Sequence, residues 1–184
     1  EKKNISLDLT TEFVPNNPKW PEMLVSTATS LVFVRDKIPH VVEQDNALYF
    51  GITWNTDTIF IACGFTETTS DIVEFDRNLK VVRRLTLPVK NIHQILWYEG
   101  RLFATLTERN EVAVVGSGSE LTTFYQTGGQ ILEGGIGEDH INSIWFDNEG
   151  YLRTCEHRQS TRFNRPSRLR RIDKSGRIVS ERYI

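Results

Sequence analysis

A unit of four short strands recurs three times along the chain, and this repetition limits what it can fold into more than any other feature. The first copy runs "ALYFGITW", "TIFIACGF", "DIVEFD", "KVVRRLTL". The second runs "IHQILWYEG", "RLFATLTE", "NEVAVVG", "ELTTFYQT", and the third "HINSIWFDNEG", "YLRTCEH", "SRLRRID", "RIVSERYI". Each run is β-branched or aromatic and ends at Asn, Asp, Gly or Pro, which is the signature of strands joined by tight turns. Trp54, Trp97 and Trp145 close the first strand of each copy, 43 and 48 residues apart. That period suits four-stranded propeller blades of about 40–50 residues. Radial stacking also protects the edges that isolated sheets would expose. The expected fold is therefore an all-β β-propeller of four-stranded antiparallel blades, with a β-sandwich as the alternative.

The blades are expected over residues 47–88, 89–127 and 139–184, with an irregular leading blade and strap over 1–46, all in one domain. "FVPNNPKWPE" within the strap reads as loop. Three full blades and a partial one leave three routes to a protected sheet. These are a compact four-blade ring, a piece of a longer propeller, or two chains completing one ring by dimerisation. The chain begins without Met, which fits a fragment, a mature form or a trimmed chain. "RIVSERYI" at the end reads as a completed fourth strand.

Composition narrows the partners. Hydrophobic content of 39% and charged content of 25% over 184 residues suit one globular domain. No apolar run reaches membrane-spanning length, so no membrane association is expected. Two cysteines and no Cys-x-x-Cys lean towards a reducing, cytoplasmic setting. Cys63 and Cys155 end second strands of separate blades, too far apart for a disulfide. The net charge of −2 divides unevenly: residues 156–184 hold nine Lys or Arg against three acids. Nucleic acid is not an expected partner, because the whole chain is acidic and no aromatic-basic ladder is present.

The candidate chemistry gathers in the last two copies. His93 and His140 precede their blade tryptophans by four and five residues. If the first strands line the centre, two imidazoles face one channel, as hydrogen-bonding, ligand-contacting or catalytic groups. His40 reaches that place only through a loop. Glu138 and Asp139 either orient His140 or satisfy turn backbone. In "HRQSTRFNRPSRLRR", Arg158, Arg162, Arg165 and Arg168 lie on a long connection suited to a small anion, an acidic partner or internal ion pairs. Cys155 and His157 share a strand face without a third orienting group. "GSGSE" lacks the lysine and hydroxyl of a nucleotide loop. Tyr125, Trp97, Trp145 and Phe146 are expected in inter-blade packing. No metal site and no cofactor are expected, since neither Glu-x-x-His nor His-x-Glu occurs.

"HINSIWFDNEGYLRTCEH" with "RLRRIDKSGRIV" resembles repeats of NHL, streptogramin-lyase and arylsulfotransferase-like propellers, best over 139–184. The arylsulfotransferase resemblance implies a sulfuryl-accepting histidine at the channel mouth. His140 matches its His-x-Asn position, and Asn142 the polar companion. The chain is shorter than such enzymes, and the lyase's catalytic histidine and metal-binding acids are not matched residue by residue. The leading expectation is a non-catalytic propeller that binds a protein or small anionic ligand and assembles as a homo-oligomer. A propeller enzyme on an anionic or sugar-like molecule, with His140 as base or transient nucleophile, comes second, and a purely structural module third.

Overall fold

A computed structural model describes residues 22–44, 48–64, 68–132, 137–157 and 166–184. The described residues form fifteen strands in four antiparallel sheets. The leading sheet has three strands, β1 (Met23–Ser26), β2 (Ser30–Arg35) and β3 (Ile38–Gln44). The next is β4 (Tyr49–Trp54), β5 (Ile59–Cys63), β6 (Ser70–Phe75) and β7 (Val81–Leu87). The third is β8 (Ile92–Tyr98), β9 (Arg101–Leu106), β10 (Glu111–Val115) and β11 (Leu121–Gln126), with a short 3-10 turn at Thr107–Arg109. The last is β12 (Ile141–Phe146), β13 (Leu152–Glu156), β14 (Arg168–Ile172) and β15 (Ile178–Tyr183). Strands within each sheet are paired in chain order, so these are up-and-down propeller blades.

The core lies between blades. All five residues of β5 are buried. Ile59, Ile61 and Cys63 face a cluster shared with Leu31 and Phe33 of the leading sheet. Phe60 and Ala62 face the opposite cluster, with Ile95, Leu102 and Ala104 of the third sheet. β9 repeats the pattern one blade on: Leu102, Ala104 and Leu106 point back, and Phe103 points forward to Ile144, Leu152 and Ile172. Strict alternation with both faces apolar is what a middle strand of a stacked blade requires.

β1, β4, β8 and β12 run down the inside of the stack. Each of β4, β8 and β12 carries a register shift near its start, between Tyr49 and Ile52, Ile92 and Ile95, and Ile141 and Ser143. Phe50 and Gly51, His93 and Gln94, and Asn142 alone in β12 are thereby turned out of the ladder. Gly51 occupies the first shift because a Cβ there would lie 2.6 Å from the Ile95 nitrogen.

Three hairpin turns, β6–β7, β12–β13 and β14–β15, share one device. Asp76, Asp147 and Asp173 each accept two backbone N–H bonds through Oδ1, from the residues two and four places on, at 2.8–3.1 Å. Three residues after each aspartate the backbone is left-handed, at Leu79 (φ 57°), Gly150 (φ 78°) and Gly176 (φ 81°). A leucine there costs about 1–2 kcal/mol. Leu79 is only 8% exposed in the first core cluster, and burying its side chain returns about 1.5–3 kcal/mol. Burial decides the residue.

Register corrects one expectation. Ile52, Ile95 and Ile144 pair with Ile61, Ala104 and Thr154, which makes Trp54, Trp97 and Phe146 equivalent. Trp145 is one position out, because it comes four residues after Ile141, whereas Trp54 and Trp97 come five after Tyr49 and Ile92. It therefore faces away from the inter-blade core and is 42% exposed. Trp97 stacks on Phe60, with centroids 5.2 Å apart. Phe146 stacks on Tyr98 at 3.8 Å.

Gly51→Ala is expected to force β4 and β8 apart and lower stability by about 1–3 kcal/mol. Urea unfolding should show this as a lower midpoint with an unchanged slope.

Candidate functional site

The shifted positions of the inner strands place one side chain from each blade in a row. Phe50, His93 and Asn142 are equivalent, each one residue after the buried residue that opens the shift. The Phe50 ring stacks on the His93 ring with centroids 5.3 Å apart and planes 17° from parallel. His93 Nδ1 lies 3.0 Å from Asn142 Oδ1. Since an amide oxygen only accepts, it is the Nδ1–H that makes this contact.

His140 joins this row from the connection before β12. It is equivalent to Asn91 rather than to His93, and both residues have left-handed backbone, with φ 32° and 57°. The structure nevertheless brings the two histidines together: their rings meet edge to face, 4.8 Å between centroids. His157, the residue after β13, adds a third ring 6.5 Å from His140. Its backbone N–H donates to the His140 carbonyl at 3.1 Å, which extends the β12–β13 ladder by one rung. Phe50 and His157 were missed as members of this group. The signal for Phe50 was the repeated pair of large apolar residues three apart, "YFGI", "IHQI" and "INSI", which is a better ruler than the tryptophans.

Burial is the main force on His140. It holds the imidazole down to about 4, with His93 and then His157 adding in the same direction. The ring is therefore neutral at pH 7, and its Nδ1 is buried without a hydrogen-bond partner. A neutral nitrogen tolerates this far better than a charged one.

Behind the rings lies a network of buried charge. Asp139 and Glu156, each the residue just before a mouth histidine, are 2% and 0% exposed. Arg168 Nη2 lies 2.8 Å from Asp139 Oδ1 and 2.6 Å from Glu156 Oε2. Arg168 Nε donates to the same Glu156 oxygen at 2.8 Å. Tyr125 donates its hydroxyl to Glu156 at 3.1 Å, and burial raises the phenol. Arg170 bonds Glu181 at 2.6 Å and also reaches the Tyr125 hydroxyl oxygen. Arg168, expected as an anion contact, thus has its charge turned inward to these acids. Arg158, Arg162 and Arg165 lie outside the described residues.

The other candidates are placed elsewhere. His40 is half-buried on β3, opposite Phe33. Cys63 and Cys155 are free thiols, and burial pushes the Cys63 thiol up to about 11. Among the described residues, no group of three or more His, Cys, Asp and Glu is arranged to hold a metal ion. No helix among them is long and apolar enough to cross a membrane. A cavity of about 190 Å³ opens between blades beside Pro88, Val89, Lys90, Leu106 and Glu108. Lys90 and Glu108 pair across it at 3.1 Å, and no histidine lines it.

No protein-family model matches the chain, and no curated protein matches it. Solved structures share its fold. Virginiamycin B lyase from Staphylococcus aureus is 18% identical with a TM-score of 0.58, over 85% of this chain and 49% of that one. A protein of unknown function from Bacteroides caccae is 13% identical, TM-score 0.54, over 89% and 78%. The nidogen/laminin complex is 13% identical, TM-score 0.58, over 87% and 61%. The chain spans about half the length of the lyase it matches. At these identities the likeness is one of propeller fold.

The low affinity of folded His140 for a proton carries a sign. Between about pH 6.5, the ordinary value, and about 4, the unfolded chain binds this proton and the folded chain does not. Stability should therefore fall as pH drops through that window. His140→Asn, which keeps a residue tolerant of left-handed backbone, should flatten that part of a plot of urea midpoint against pH.

Proposed function

We propose that this chain is a binding propeller that takes a small anionic ligand at the mouth where β8 and β12 begin. The observation that supports it most is the meeting of His93, His140 and Asn142 from two adjacent blades, with His157 beside them. Pockets that orient a ligand use a few converging polar groups beside apolar walls, and Phe50 supplies such a wall. The imidazoles offer hydrogen bonds, and His140 is neutral, so the positive charge must come from elsewhere. Arg158, Arg162 and Arg165 belong to the segment between His157 and Ser167. The residues on either side of it are close, with Ser167 Oγ and His157 Nδ1 3.5 Å apart. Guanidinium groups tethered at that point suit phosphate, sulfate or carboxylate.

Proton transfer asks for a group that titrates near the working pH, and burial keeps His140 well below it. The enzymatic reading stands second and moves to His93. Asn142 fixes its tautomer and frees Nε2 as an acceptor, which is how a general base is oriented.

Side-chain nitrogen spectra of the histidines, recorded while adding inorganic phosphate, sulfate or a sugar phosphate, test the binding reading. A saturable shift at His93 and His140 is expected. It should weaken by about tenfold or more, ~1.4 kcal/mol, in His93→Ala and in the triple Arg158, Arg162, Arg165→Gln variant. Absence of any shift, or a shift indifferent to both variants, overturns it.

The assembly part of the reading rests on the outer face of the leading sheet. Met23, Val34 and Pro39 form one cross-strand row there, and Val25, Val32 and Val41 the next. Val25 and Val41 are 40% and 61% exposed, and contiguous apolar surface of this kind marks a contact face. Native mass spectrometry should show a dimer that the double variant Val25→Lys, Val41→Lys returns to monomer. A monomer at all concentrations would remove this part.

A further inference from the structure

We propose that Arg168 is the positioning residue of the mouth: by pairing at once with Asp139 and Glu156 it sets where His140 and His157 stand. The inference rests on the binding reading of that mouth and concerns how its rings are held.

The geometry is direct. Asp139 and Glu156 are the residues immediately before the two histidines, and they meet on one guanidinium at 2.8 and 2.6 Å. Asn110 fixes the same stretch from the other side. Its Oδ1 accepts the Asp139 N–H at 2.9 Å, and its amide donates to the carbonyls of Gly129 and Gln130 at 3.0 Å each. The His140 N–H donates to the Gly137 carbonyl at 3.2 Å. The left-handed turn at His140 (φ 32°) is thus held at the residue before it and the residue after it. A non-glycine residue persists in such a conformation only where its surroundings over-determine it.

The location of the charge separates positioning from simple stability. On β13, Leu152, Thr154 and Glu156 share the face towards the preceding blade, and on β14 Ile172, Arg170 and Arg168 do. The end of this contact remote from the mouth is apolar, where Leu152 and Ile172 join the cluster with Phe103. Among the described residues of this contact, the buried ion pairs lie at the mouth end, while the Lys174–Glu99 pair at the far end is exposed. Buried ion pairs gain little stability over well-packed apolar residues of similar volume, whereas one guanidinium that donates Nε–H to Glu156 and pairs with Asp139 sets where both carboxylates stand. A device that fixes geometry is therefore found where two rings have to be placed, 6.5 Å apart.

The test needs no ligand, so failure of the clamp and failure of the mouth to bind can be told apart. The readouts are the His140 titration, followed by side-chain NMR, and the ring-to-ring contact between His140 and His157. The titratable groups acting on His140 are His93 and His157; Asp139 is its neighbour in the chain and brings Arg168 and Glu156 behind it. Asp139→Asn is the discriminating variant. Losing the neighbouring anion, by charge alone, would make His140 harder to protonate. Loosening the clamp hydrates the ring and makes it easier. We expect the second outcome, a titration moved from about 4 towards the ordinary value, with a weakened His140–His157 ring contact. Arg168→Gln should do the same, and Arg168→Lys should restore part of the ring contact. Leu152→Ala, in the apolar end of the same interface, should lower the melting temperature and leave both readouts in place. Should Arg168→Gln fail to fold, Asp139→Asn decides alone. An unmoved or lowered titration with an intact ring contact in Asp139→Asn would reduce Arg168 to a structural residue and overturn the proposal.

Discussion

The side-chain amide of Gln94 spans the gap between two inner strands, donating to the Ile144 carbonyl at 3.1 Å and accepting from the Ile144 N–H at 2.8 Å. The other inner gaps are closed in related ways. Ser26 donates to the Phe50 carbonyl at 2.9 Å, and Thr53 accepts the Trp97 N–H at 2.9 Å. Inner strands of neighbouring blades do not share a ladder, so their edge groups need partners supplied by side chains. These single bonds set the spacing and height of adjacent blades. Everything at the mouth inherits that alignment, including the stack of Phe50 on His93 and the bond from His93 to Asn142.

Outside this inner ring the forces change along each blade. The middle of each inter-blade contact is apolar, and its burial holds the stack together. Towards the mouth, the last contact turns ionic, with Asp139, Glu156, Arg168 and Arg170 all at 7% exposure or less. Charges so enclosed are tolerable because each is matched at close range. The same burial, without a counter-charge, is what keeps the His140 imidazole neutral. One end of the interface therefore holds both a satisfied charge network and a ring that resists protonation.

Much of this was legible in the sequence, and the reasons are local. Four short runs separated by turn residues, repeated at blade length, pointed to up-and-down blades, and that is the fold. Aspartates in "FDRNLK" and "IDKSGR" marked polar turns because their side chains cap the turn backbone. Trp145 misled, since it stands one place earlier in its strand than Trp54 and Trp97 and so points to the opposite face. The rings of His93 and His140 stand 4.8 Å apart, although they reach each other from different positions of the repeat. What stayed hidden was the inward direction of Arg168. A guanidinium in a basic stretch reads as surface, and only tertiary placement shows two buried carboxylates waiting for it.

The register shift at the start of β4, β8 and β12 has a broader consequence. It frees one position per blade from the demands of the core, and that position already carries a phenyl ring, an imidazole and an amide in three successive blades. Copies of a duplicated unit can therefore diverge there one at a time while the buried residues flanking the position stay apolar. A recognition surface built this way is modular: its chemistry can be rewritten blade by blade without renegotiating the architecture that holds it.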